Sequence, residues 1–257
     1  MKNYLFVLLI FFTATALAQT DTRIYDIIQK VSAKNIEADI TTLANFGTRN
    51  PFSDTLSSTR GIGAARRWIK AQFDQISLNC EECLEVFYQK DLVKAASSNR
   101  VPRDTWVVNV VAIQKSKTGS NRYIIISGDI DSRNSDGSDF IKDAPGANDN
   151  ASGMAGAIEA ARVLSSYEFD ANIVYLGLSG EEQGLFGGAG FARYAQENNW
   201  NIIGVLNNDM IGNIKGVDGV ISNIDFRIFS EPVPPTETQK QRRLRREKLL
   251  ISIIWNL

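Results

Sequence analysis

The connection 127–153 carries six aspartates, Asp129, Asp131, Asp136, Asp139, Asp143 and Asp149, between one apolar run and another of helical period. Carboxylates at that density repel one another, and a divalent cation is the usual counter-charge. Acidic residues recur in the same way further on. The apolar run 123–127 leads into Gly128-Asp129-Ile130-Asp131, the run 171–178 into Ser179-Gly180-Glu181-Glu182, and the run 202–208 into Asp209. Several oxygen ligands beside a glutamate able to move a proton are the equipment of metal-assisted hydrolysis. Each group also has a plainer reading: Asp149 as an N-cap, Glu181 and Glu182 as loop charges, Asp209 as a turn residue. Asp136, Asp139 and Asp143 are taken as solvated loop charges. What points to a shared site is the recurrence at three successive strand ends, because ligands of open α/β sheets bind beyond the carboxyl ends of the strands.

The elements that must position these groups follow from periodicity. Residues 84–89, 105–114, 122–127, 171–178 and 202–208 are rich in Val, Ile and aromatics and predict strands, with WVVNVVAI and YIIIS apolar enough to be buried on both faces. Helical spacing is expected over 21–43, 61–76, 150–166 and 184–198. The segment 44–59, with Gly47, Asn50, Pro51 and Asp54, reads as a surface loop. Arg66, Arg67 and Lys70 read as the solvated face of their helix. Strand alternating with helix in the second half predicts an α/β fold: a three-layer sandwich with a mostly parallel mixed central sheet, helices on both faces, and one domain.

Composition narrows the class. With 257 residues, 44% hydrophobic and 22% charged, the chain can bury one sizeable core. Lys2, the apolar run 4–12 and Ala16-Leu17-Ala18 have the order of a secretory signal, too short to span a membrane. Residues 1–18 are therefore expected to be cleaved, the domain to occupy 19–257, and the protein to be periplasmic or extracellular without stable membrane insertion. The formal charge of −1, one unit more negative once Lys2 is lost, gives no electrostatic basis for a nucleic-acid partner. Cys80 and Cys83, in an exported chain, favour a disulfide over free thiols; two cysteines alone make a weak zinc site, and a redox centre would call for a preceding strand. Near the end come a proline-rich loop at 231–238, a basic run at 239–248 and the apolar tail LLISIIWNL. The tail has no cap or turn, and the C-terminal part of the domain is expected to be missing or altered from about residue 247.

The segments GDIDSR, PGANDNASG before a helix, SGEEQGLFGG after a strand and NNDMIGN after the next resemble the co-catalytic di-zinc exopeptidases of the bacterial leucyl aminopeptidase type, over roughly 39–231. The resemblance implies two zinc ions sharing a bridging aspartate and a water, with a peptide as substrate. Mapped onto this chain, Asp149 resembles the bridging ligand, Glu182 a ligand of one metal and Asp209 of the other, and Asp129 stands at a further ligand position. Glu181 resembles the general base and Asp131 the carboxylate that steadies the ligand at 129. The chain departs from the pattern in having no histidine: Asp129 stands where the family usually places one, and a second lies in a segment beyond this sequence. One zinc or none is thus an alternative to two. The functions implied are a secreted metallo-aminopeptidase, a catalytically silent remnant or binding module of the same fold, and, lower, a peptide cyclase.

Overall fold

Alternation along one strand sets the layers. Val110 and Ala112 point to one side of the second strand and Val111 and Ile113 to the other, and all four are buried. A computed structural model describes residues 21–224 together with 228, 229 and 238. Residues 1–20, which include the expected signal segment, and nearly all of the chain after 230, with its proline-rich, basic and apolar stretches, lie outside the described residues. The chain divides into two units, 1–29 with 229–257, and 30–228. In the first unit the described residues are Asp21, α1 (Thr22–Gln29), Phe229 and Thr238, and α1 has no buried residue.

The second unit holds α2 (Ala33–Asn45), α3 (Gly61–Asn79), β1 (Leu84–Val93), β2 (Thr105–Gln114), β3 (Arg122–Asp129), a π-helical turn (Ala147–Ser152), α4 (Gly153–Leu164), β4 (Asn172–Leu178), α5 (Phe186–Glu197) and β5 (Asn201–Asn208). The five strands are ordered β1-β2-β4-β3-β5. β3 runs parallel to β4 and β5, while β2 opposes both β1 and β4, so four strands point one way and one points back. Leu43, Ile62, Ile69, Phe73, Met154 and Ile158 of α2, α3 and α4 pack with Val110, Ala112, Ile173 and Tyr175 on one face. Phe191 of α5 packs with Val111, Ile113, Ile125, Val174 and Leu176 on the other. Each of the Val, Leu, Ile, Phe and Met side chains contributes about 1.5–3 kcal/mol by leaving water, and the result is the expected three-layer sandwich.

Three expectations are corrected. The single helix over 21–43 is broken, because Ser32 takes an extended backbone and its hydroxyl accepts from Asn35 N at 3.2 Å, capping α2. Loop 44–59 is a surface segment only in its second half: Thr48, Arg49, Asn50 and Ser53 are buried, while residues 54–56, 58 and 59 are exposed as expected. Arg66 does not share the exposed face of Arg67: it is buried, and its guanidinium donates to Ser179 Oγ at 3.1 Å.

Cys80 and Cys83 form a disulfide, their sulfurs 2.02 Å apart. It links the end of α3 to the start of β1, so its closed loop is short. The entropic gain from so small a loop is about 2 kcal/mol or less. Reduction should lower the urea midpoint of the chain only modestly, and a loss beyond roughly 4 kcal/mol would contradict this account.

Candidate functional site

Close backbone approach brings the acidic segments together. A Cβ on Gly128, near the end of β3, would lie 2.5 Å from Gly153 C and Met154 N, and a Cβ on Gly153 would lie 2.1 Å from Asn208 O. With glycine at both positions the N-terminus of α4 sits against the ends of β3 and β5. The turn carrying Asp149 is thereby set beside Asp129 and Asp209.

Asn150 secures this junction. Its Nδ2 donates to Asp129 Oδ2 at 2.9 Å and to Asn208 O at 2.8 Å, while its Oδ1 accepts from Gly153 N at 3.1 Å and Met210 N at 3.2 Å. All four hydrogen bonds of the side-chain amide region thus tie β3, β5 and α4 together. Sequence reasoning treated Asn150 only as a helix start. Its place between Asp149 and a glycine-led helix was the available signal.

Asp131 is buried and holds the second arm. Its Oδ1 accepts from Glu181 N at 3.2 Å and its Oδ2 from Glu182 N at 3.1 Å. Expected to steady residue 129, it instead grips the backbone of the two glutamates and meets Asp129 as a like charge. Burial pushes its carboxyl up to about 6, against the backbone donors that favour the charged form. Arg49 and Arg66, both buried, are the nearby positive charges.

Burial, followed by the Asp131 charge, pushes Asp129 up to about 7, with Glu181 and Asp209 adding to the rise and Asn150 opposing it. Burial likewise pushes Glu181 up to about 7, with Asp131, Glu182, Asp209 and Asp149 contributing. Asp209 is raised by burial and then by Asp149. Glu181 therefore lies within electrostatic reach of Asp129, Asp131, Asp149 and Asp209, near the carboxyl ends of β3, β4 and β5. Among the described residues, however, no three His, Cys, Asp or Glu side chains are grouped so that they could hold one metal ion.

Glu182 faces a different environment. Its carboxylate pairs with Arg133 Nε and lies 3.8 Å from Arg100 Nη1, and Arg100 also donates to its carbonyl. Ser98, Asn99 and Arg100 join Glu181, Glu182 and Gln183 around a cavity of about 360 Å³. That is enough for a small side chain. Asp136 and Asp139 cap turns in their own loop, and Asp143 pairs with Arg60 at 2.6 Å. Cys80 and Cys83 precede β1, which runs with β3 and β4, so they lie at the opposite end of the sheet.

Residues 109–225 match peptidase family M28. A probable zinc metalloprotease of Pyrenophora teres f. teres is 36% identical over 217 residues, 84% of this chain and 47% of that protein. Another, of Leptosphaeria maculans, is 38% identical over 226 residues, 87% of this chain and 52% of that protein. The chain thus spans about half the length of the curated relatives it matches. The fold is similar to LapB of Legionella pneumophila, with a TM-score of 0.58 and 21% identity over 74% of this chain and 46% of that one. It is also similar to a glutaminyl cyclase of Porphyromonas gingivalis, with a TM-score of 0.53 and 17% identity over 70% of this chain and 60% of that one. At such identities the likeness is one of fold.

Proposed function

Residues 109–225 carry a peptidase family M28 domain, and from that premise we propose that the chain is an exported aminopeptidase-type hydrolase that takes peptides by their free N-terminus. The observation carrying this reading is that Glu181, with its carboxyl pushed up to about 7, lies within electrostatic reach of Asp129, Asp149 and Asp209 where β3, β4 and β5 end against the turn before α4. Carboxylates in a partly dry site attract the α-ammonium that only a chain terminus offers. Glu181, half-buried with its carboxyl pushed up to about 7, takes a proton from the attacking water and returns it to the leaving amine. Asp131 fixes the backbone of Glu181, and the cavity beside it receives the first side chain.

The family implies zinc. The residues described here do not fit the zinc pair: no three candidate ligands are grouped, the sequence contains no imidazole, and the Glu182 carboxylate is engaged by Arg133. Substrate binding and proton transfer are accordingly carried by the chain's own side chains. Export is supported by the leader-like residues 1–18 and by the Cys80–Cys83 disulfide, which suits an oxidising compartment. Among the described residues no helix is long and apolar enough to cross a membrane.

Turnover of leucine p-nitroanilide tests the proposal, together with calorimetric binding of one peptide in free and N-acetylated forms. Glu181→Gln should lower kcat by roughly 100-fold or more with little change in KM, and acetylation should weaken binding roughly tenfold. Equal binding of the two peptides with no turnover would overturn the reading. A second reading, a silent module with the same N-terminal preference, is favoured by the Arg133–Glu182 pair. Discrimination between the peptides without turnover, and with less than one zinc per chain after dialysis, would establish it.

A further inference from the structure

We infer that the guanidinium of Arg133 stands in for a metal at Glu182, so that this carboxylate is lost to zinc and the chain supplies its own cation there. Arg133 lies two residues beyond Asp131, on the segment that leaves β3 and enters the acidic site. Its Nε faces Glu182 Oε2, while its Nη1 donates to Asn134 O at 3.3 Å, which ties the guanidinium to its own turn. Arg100, from the loop between β1 and β2, brings a second guanidinium to 3.8 Å. Glu182 is held from both ends. Its N–H is gripped by Asp131 at 3.1 Å, its carbonyl accepts from Arg100, and its side chain is only 13% exposed.

The chemistry of the pair makes it a competitor of a divalent ion. Charge-assisted bonds between guanidinium and carboxylate are strong and directional, and a largely buried pair is screened little by salt. A guanidinium does not deprotonate near neutrality, so pH cannot release the carboxylate by discharging its partner. Zinc approaching Glu182 must expel Arg133 and then lie beside two positive groups. By linkage, the ion pair and the metal each weaken the other. The other acidic groups, Asp129, Asp149, Asp209 and Glu181, have no such ion-pair partner among the described contacts. The inference concerns metal binding and holds whether or not the chain turns over peptides.

Zinc binding to the full chain, measured by equilibrium dialysis with metal quantified by atomic emission, tests it. Glu182→Gln alone should leave zinc affinity unchanged. Arg133→Ser combined with Arg100→Ser should raise affinity roughly tenfold or more, and adding Glu182→Gln to that variant should erase the gain. Arg133→Lys keeps the charge and should bind zinc as the wild type does. A thermal melt checks each variant, and Arg133→Gln replaces the serine variant if the latter does not fold. No gain in a folded variant lacking the two guanidinium groups, or a roughly tenfold loss from Glu182→Gln alone, would overturn the inference.

Discussion

Replacing Asp131 by alanine should cost the folded chain about 3–5 kcal/mol, the value of two hydrogen bonds to one buried charge. The carboxylate accepts from Glu181 N and Glu182 N, and its removal leaves both half-buried donors without this partner. It also removes the negative charge facing Arg49 and Arg66, whose guanidinium groups are buried and already disfavoured by desolvation. For a unit of this size the loss corresponds to roughly 10 °C in Tm. Asp131→Asn keeps one acceptor oxygen and should cost about half as much. Urea denaturation of the two variants is the measurement. A loss below about 1 kcal/mol for Asp131→Ala would show that the bonds are made by some other group. Because Asp131 sets the backbone of Glu181, affinity for a free N-terminus should fall even in conditions where the variant is fully folded.

The fold was legible wherever a residue type had one strong environment. The runs WVVNVVAI and YIIIS have no polar face, so they had to be strands covered on both sides, and β2 and β3 are such strands. Acidic residues following those runs were legible for the complementary reason: nothing in a doubly covered strand can hold a charge, so the charge marks where the strand leaves the core. The close packing of Gly128 and Gly153 was implicit in the glycines but not in any single window, since it needs β3, α4 and β5 at once. The helix break near Ser32 went unseen because the apolar spacing continues through it. Ser32 N donates to Glu159 Oε1 at 2.7 Å, 127 residues away, a tertiary contact that favours a cap over a continuous helix.

The cations were the least legible part. Arginine in a loop or on a helix flank has exposure as its default, and Arg49, Arg66 and Arg133 depart from it only because the carboxylates and strand ends they face come from distant segments. Arg133 was visible in the sequence as the last residue of GDIDSR, but its partner Glu182 is 49 residues away. The acidic residues announce themselves by clustering in sequence; the basic residues that balance them do so only in space.

Arg49 shows how much depends on one such residue, and its replacement should have the second large effect. Its Nε donates to Ile130 O at 2.7 Å, its Nη1 to Leu43 O at 2.9 Å and Pro145 O at 2.6 Å, and its Nη2 to Gly146 O at 3.0 Å. One side chain therefore joins the end of α2, the residue between Asp129 and Asp131, and the lead-in to Asp149. Burial pushes its pKa down only to about 10, so it is charged at neutral pH. Arg49→Met approximates the volume and removes four hydrogen bonds, the donor to Ile130 O and Pro145 O and one of two donors to Leu43 O and Gly146 O, at about 1 kcal/mol each or about 4 kcal/mol together; Arg49→Ala adds a cavity and should cost more. The effect should also be local. In Arg49→Met, amide exchange should accelerate first at Ala144 N, which bonds Gly47 O at 2.7 Å, and at Ala151 N, which bonds Gly146 O at 3.0 Å. The amides of Val110 and Val111 in β2 should keep their protection until the whole unit opens. Native exchange at 144 and 151 in a folded Arg49→Met protein would mean that the two arms of the acidic site hold their places without the arginine. Loss of protection there, with weaker binding of a free N-terminus, would make Arg49 the residue through which loop 44–59 sets the geometry of the carboxylates.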